Sequence, residues 1–260
     1  MILKDIKANY YWDSPGIVRI GKDRDIAAYL VGDCSGQCLI FCHGNGETAV
    51  TEKHWFDELS AAGISVICPE YRGYALSEGD LSENGCYEAA HAAYDFLIDE
   101  KGMRCEDIYV CGYSLGSAIA VELAATQNLA GLILQAPFLG GRQLKRYWQE
   151  KAEMPIKDND NSFPTDARLS NIHIPTLIIH GTSDEIIPFF HGKAVFNRIA
   201  SNKKALVPVK KAGHCNFQII LGKKYIPILS NFILEKQLPS KPSWSCILWI
   251  LHKIFGMPKW

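Results

Sequence analysis

A serine at position 114 stands where an activated nucleophile could be built. Gly112-Tyr113-Ser114-Leu115-Gly116 follows the apolar run DIYVC (107–111) and precedes AIAVELAA, which has the pattern of a buried helix. A G-x-S-x-G turn between strand and helix lifts the serine hydroxyl above the sheet edge. Small residues two before and two after the serine let neighbouring backbones close in. The N–H of Leu115, at the start of the helix, could then stabilise a developing oxyanion.

A serine hydroxyl needs a base. The chain has eight histidines, and His214 is the best placed of them. It lies in KKAGHCNF, just after the strand-like ALVPV and just before a helical pattern. A loop off a late strand can swing its imidazole over Ser114. His180 ends a strand and reads as structural, and His54, His91 and His191 lie in helical patterns. The acid is expected between serine and histidine. Strand TLIIH is followed by GTSDEIIP, which puts Asp184 in the turn at the strand's end. There it could accept the imidazole N–H and fix the tautomer. Glu185 is the adjacent alternative, and PFLGGR, after the strand 131–136, offers no acid. A second oxyanion donor is expected from the loop His43-Gly44-Asn45-Gly46-Glu47, with the N–H of Asn45 preferred over that of Gly46.

Positioning these residues takes a sheet. Apolar runs at 26–31, 37–42, 64–68, 107–111, 131–136, 176–180 and 205–209 alternate with helical patterns near 47–62, 84–101, 115–127, 189–200 and 217–236. Runs that are apolar on both faces suit parallel strands covered on both sides. The alternation predicts one α/β domain, a mostly parallel central sheet with helices on both faces, over residues 1–239. The stretch between the strands ending near 136 and starting at 176 is too long for a plain loop. RQLKRYWQEK (142–151) can form a helix and DNDNSFP (158–164) reads as turn. Residues 140–172 are therefore expected to form a short lid over the C-terminal edge of the sheet, where α/β ligands bind.

Composition narrows the partners. The chain has 260 residues, 48% hydrophobic and 21% charged, with 27 Lys+Arg against 28 Asp+Glu. Disorder and low-complexity scaffolds are excluded. A net charge of −1 gives no basic field, so no nucleic-acid partner is expected. Nine cysteines with no evident signal peptide point to a reducing, cytoplasmic setting. Cys34, Cys38, Cys42 and His43 raise the question of zinc. Cys38 and Cys42 fall on a buried strand and no CxxC pair exists, so no metal is expected.

Together HGNGE (43–47), PEYRGYALSEG (69–79), GYSLG (112–116), GTSDEIIPFFHG (181–192) and AGH (212–214) resemble the α/β-hydrolase-fold serine hydrolases. The closest likeness is to the α/β-hydrolase-domain branch that includes membrane-associated protein depalmitoylases and related esterases. The likeness spans most of residues 25–236. It implies a Ser–Asp–His triad, which falls here on Ser114, Asp184 and His214, and neither metal nor organic cofactor. The chain order Ser, Asp, His is that of this fold. Mammalian-type depalmitoylases carry a Cys-rich N-terminus, and this chain instead has an apolar segment near its C-terminus. The expected reaction is cleavage of carboxylic esters or thioesters through an acyl-serine, on acyl-chain substrates that are small molecules, lipids or acylated proteins. The alternatives are a lipase or lysophospholipase acting on membrane lipids, a peptidase, and a catalytically silent membrane-associated binding module.

The tail, 240–260, contains WSCILWILHKIFGMPKW (244–260). It is too short to span a bilayer, which needs about 20 apolar residues. As a helix it would align Trp244, Ile247, Leu248, Leu251, Ile254 and Phe255. It reads either as a terminal helix packed on the domain or on a second copy, or as an interfacial helix that brings the protein to a membrane as a peripheral partner, with Cys246 a candidate for acylation. The interfacial reading expects co-sedimentation with liposomes to be lost when residues 240–260 are deleted. Unchanged co-sedimentation would return the tail to a packing role.

Overall fold

The computed structural model describes residues 3, 4, 6–152 and 162–239. Eight strands form one sheet: β1 (Ile17–Ile20), β2 (Ile26–Val31), β3 (Gln37–Cys42), β4 (Ile64–Pro69), β5 (Ile108–Tyr113), β6 (Gly131–Gln135), β7 (Thr176–Gly181) and β8 (Lys204–Val209). The spatial order is β1-β2-β4-β3-β5-β6-β7-β8. β1 and β2 pair antiparallel, as do β2 and β4; every other pair is parallel. The mostly parallel sheet predicted from the apolar runs is present, and β1, short and half exposed, is the strand those runs did not reveal.

The helices are α1 (Lys53–Ala61), α2 (Glu83–Asp95), α3 (Leu115–Thr126), α4 (Gly141–Lys151), α5 (Phe189–Arg198), α6 (Phe217–Leu221) and α7 (Tyr225–Leu234). Alternate residues of each central strand feed opposite sides of the sheet. Ile40, Val110, Leu132, Leu134 and Ile178 pack with residues of α2, α3 and α5 on one side. Leu39, Phe41, Cys111, Ile133 and Leu177 pack with residues of α1 and α7 on the other. Both faces of β3 to β7 are thus dry, which is why their sequences lack a polar alternation.

Helix ends follow local chemistry. Ser82 caps α2 by accepting from the Gly85 N–H at 3.0 Å. α2 then opens into one wide turn, Phe96–Glu100, so the single helix expected over 84–101 changes pitch near its end. The helix expected over 217–236 is broken in two. Gly222 has φ of 51°, and Pro227 sits in the first turn of α7, where its missing N–H costs no bond. The helix expected from 47 starts only at Lys53, because Thr48 and Thr51 form a turn in which the Thr48 N–H donates to the Thr51 hydroxyl at 2.8 Å. Among the described residues no helix is long and apolar enough to cross a membrane. Residues 153–161 of the expected lid and the tail 240–260 lie outside the described residues.

The tightest packing is at the β5–α3 turn. A Cβ on Gly116 would overlap the carbonyl of Cys42, and one on Gly112 would overlap the carbonyl of Gly116. Both obstacles are backbone, which has little room to yield. Gly116→Ala is therefore expected to destabilise the protein by about 3 kcal/mol or more, the upper range for overpacking. Urea denaturation of the purified variant would measure it, and a change under about 0.5 kcal/mol, the range of an unremarkable surface substitution, would contradict this packing.

Candidate active site

Ser114 has φ 53° and ψ −115°, a sparsely populated conformation for a residue with a side chain. Its neighbours hold it there. The Ser114 N–H donates to the Gln135 carbonyl at 2.9 Å, and its own carbonyl accepts from the Ser117 N–H and from the Ser117 hydroxyl, the latter at 2.6 Å. Leu115 is the first residue of α3, so its N–H has no acceptor within the helix.

Two loops converge on this turn from later in the chain. The loop after β7 carries Asp184 and the loop after β8 carries His214. They are stitched together by backbone: the Thr182 N–H donates to the Val209 carbonyl and the Ser183 N–H to the Ala212 carbonyl, each at 2.9 Å. His214 Nε2 lies 2.9 Å from Ser114 Oγ, and His214 Nδ1 lies 2.8 Å from Asp184 Oδ2. The Nδ1–H donates to the carboxylate, which leaves Nε2 bare to accept from the serine hydroxyl. Tyr113 supports the imidazole, with its ring centroid 5.3 Å away and its hydroxyl donating to the His214 carbonyl at 3.2 Å. His214 and Asp184 are both buried.

The structure thus brings together Ser114, Asp184 and His214, separated by 100 residues of sequence at the widest. Glu185, the alternative acid, takes another place: its Oε2 accepts from the backbone N–H of His214 at 3.2 Å. Burial works against a charge on Asp184, yet hydrogen bonds from His180 and His214, and then from the Ile187 N–H, outweigh it and hold the carboxyl well below the usual carboxylate range.

Asn45 lies in the loop after β3, which abuts the turn from the other side; a Cβ on Gly44 would touch the Tyr113 ring. The Asn45 side-chain oxygen accepts from the Tyr74 hydroxyl at 3.0 Å and from the Lys4 N–H at 3.1 Å. Behind this loop is a buried polar cluster that the sequence did not reveal. Glu70, fully buried, accepts from the Ala49 N–H at 2.6 Å and from the Tyr10 hydroxyl, and faces His43 Nε2 at 3.5 Å. Burial opposes a charge on His43, and the Glu70 carboxylate more than offsets it, raising its pKa. His43 stacks on Tyr71 at 4.1 Å, and the Tyr71 hydroxyl donates to the His43 carbonyl at 2.7 Å. The Ala75 N–H donates to the Ile6 carbonyl at 2.8 Å, so the N-terminal segment bonds both to the loop after β3 and to the loop after β4. A carboxylate at the end of the apolar run ISVICP was the available sign that a buried partner was needed.

Comparison with known proteins agrees with this architecture. Residues 34–157 match the family model described as serine aminopeptidase, S33. The chain is 31% identical over 224 residues to α/β-hydrolase domain-containing protein 17B of Homo sapiens, covering 85% of this chain and 75% of that one. It is 32% identical over 202 residues to α/β-hydrolase domain-containing protein aho-3 of Caenorhabditis elegans, covering 75% of this chain and 57% of the relative's length. The Pyrococcus furiosus esterase Pf2001 superposes with a TM-score of 0.72 at 15% identity, covering 90% of this chain and 96% of that one. Est1E from Butyrivibrio proteoclasticus superposes with a TM-score of 0.64 at 17% identity, covering 85% and 98%. The chain belongs to the α/β-hydrolase domain-containing family.

The low position of the Asp184 carboxyl has a consequence for stability. A group whose pKa is depressed on folding stabilises the folded state above its unfolded pKa, and loses that contribution as pH falls through its folded one. Wild type is expected to melt above Asp184→Asn at neutral pH, with the gap closing as pH falls below about 4, the ordinary carboxylate value. Thermal melts at several pH values would measure it; a gap that widens on acidification would contradict the hydrogen-bonded geometry around Asp184.

Proposed function

We propose that this protein is a serine hydrolase that cleaves carboxylic esters or thioesters through an acyl-Ser114 intermediate. The observation that carries the reading is the continuous hydrogen-bonded line from Ser114 Oγ through His214 to Asp184, with both links under 3 Å. His214 Nε2 takes the hydroxyl proton as Oγ attacks the carbonyl carbon. Asp184 stabilises the imidazolium that forms and does not take its proton. The N–H groups of Leu115 and Asn45 hold the oxyanion. His214 then protonates the leaving alcohol or thiol, and a water repeats the sequence on the acyl-enzyme. No metal or organic cofactor enters these steps.

The surroundings favour an apolar acyl group. Ile186 and Phe190 beside Asp184, and Ile219 and Ile220 just after His214, are exposed. Tyr147 and Trp148 of α4 pack beside the first pair, Tyr147 at 5.4 Å from the Phe190 ring and Trp148 donating to the Ile186 carbonyl at 3.0 Å. In this reading the hydrolase domain is residues 1–239, and α4, at the start of the expected lid, lies beside the acyl group.

The test is labelling of the purified protein by a fluorophosphonate, followed by an acyl-chain-length series of nitrophenyl esters. Labelling is expected in wild type and absent in Ser114→Ala, with the best kcat/KM on medium or long chains. Replacing Asp184 by Asn is expected to lower kcat by about 10⁴-fold, since the tautomer is no longer fixed. Labelling that persists in Ser114→Ala would overturn the assignment. A preference for acetyl esters would overturn the acyl-chain reading alone.

A further inference from the structure

His180 is a buried titratable group that these steps leave unused. It ends β7 and has no exposed surface. Its Nε2 lies 2.8 Å from the Ile187 carbonyl and 3.3 Å from Asp184 Oδ2. Both are acceptors, so Nε2 carries the proton and its N–H is shared between them. Nδ1 is then the bare nitrogen, and it has no hydrogen-bond partner among the described residues. α5 closes directly on it: a Cβ on Gly192 would overlap Nδ1, and the Phe189 ring meets the imidazole edge-on at 5.6 Å.

Asp184 is thereby held at both oxygens. Oδ1 accepts from the N–H groups of Ile186 and Ile187, at 2.9 and 2.7 Å. Oδ2 accepts from His214 and faces His180. The two bonds to Oδ1 anchor one side of the carboxylate, and His180 supplies a second donor on the other, at Oδ2. With His180 behind it, the oxygen is aimed, and its charge is divided between two imidazole N–H groups. We infer that His180 is a positioning residue: it orients the Asp184 carboxylate and, by sharing Oδ2, sets how strongly that carboxylate holds a proton on His214. The other titratable side chains facing this cluster are His191 on α5, Tyr113 on β5 and Glu185 in the same loop. Burial, then proximity to His180, lowers His191 to about 4, so it brings no charge at neutral pH. Glu185 is engaged on the His214 backbone.

The inference rests on Asp184 acting as the acid of the proposed hydrolase, and its test is arranged to be decided without activity. Imidazole ¹⁵N spectra of the full chain would be recorded for wild type, His180→Phe and His180→Gln, with ester hydrolysis measured alongside. Wild type is expected to show His180 as the Nε2–H tautomer. In His180→Phe, which loses the donor, Oδ2 is left to His214 alone. The His214 titration midpoint is expected to rise, and the acidic limb of kcat/KM to move up with it. kcat should fall about 10-fold or more through misorientation, with KM within about twofold. His180→Gln, whose side-chain amide can donate to the same oxygen, is expected to restore the midpoint. A merely structural role would lower the melting temperature and leave the midpoint in place.

An Nδ1–H tautomer in wild type would overturn the inference, as would one His214 midpoint shared by all three proteins. If His180→Phe does not fold, the wild-type tautomer and the Gln variant decide the matter: a His180→Gln midpoint displaced from that of wild type counts against the inference. Spectra that behave as expected in a protein without hydrolase activity would support the role of His180 and count against the proposed function alone.

Discussion

Gly116 packs against the carbonyl of Cys42 so closely that no side chain fits between them, and this contact decides where Ser114 can stand. β3 and β5 run side by side with Cys42 opposite Gly112. α3 must leave the end of β5 at once and fold back over β5, flanked by β3 and β6. The chain can turn that sharply only by forcing Ser114 into a strained conformation, which costs about 1–3 kcal/mol for such a residue. The buried, small-residue surface of α3 lets that helix sit low on the sheet. The strain therefore falls on the one residue whose hydroxyl must project above the sheet edge, and it is sustained by packing on every side of it.

The second constraint is a buried carboxylate. Asp184 in this position would be costly without donors, because a charge loses its hydration there. Two backbone N–H groups and two histidines face it. The same loop connects to the His214 loop by backbone bonds and by Glu185, so Asp184 and His214 are held on one hydrogen-bonded unit. On the other side of Ser114, Glu70, His43 and Tyr10 form a second buried polar cluster that fixes the loop of Asn45. The Asp184–His214 pair and the Asn45 loop are thus each backed by a buried polar cluster, while the Ser114 turn is held by close backbone packing.

β3 to β7 were legible in the sequence because they are buried on both faces, so their apolar runs mark them clearly. β1 was missed because it is a short edge strand, with a pattern too brief to separate from a loop. The breaks in the helices after α2 and within 217–236 depend on single residues and on pitch changes that periodicity does not register. That Ser114, Asp184 and His214 lie together was legible because each follows the end of a strand run, and the parallel strands carry those ends to one edge. His180 was read as structural for the same reason: as the last residue of a strand, its buried side chain gave no sign of its partner. Tyr10 could not be found at all from sequence, since it lies in a segment without regular structure whose contact with Glu70 exists only in the folded chain.

The most direct test is to catch the covalent intermediate. The protein would be mixed with a long-chain nitrophenyl ester, quenched in acid within the first turnovers, digested and analysed by mass spectrometry. The account predicts one acyl group per chain, carried by the peptide that contains Ser114, together with stoichiometric release of nitrophenol before steady turnover. Turnover with no acyl group on that peptide, or an acyl group on a different residue at the same stoichiometry, would contradict it.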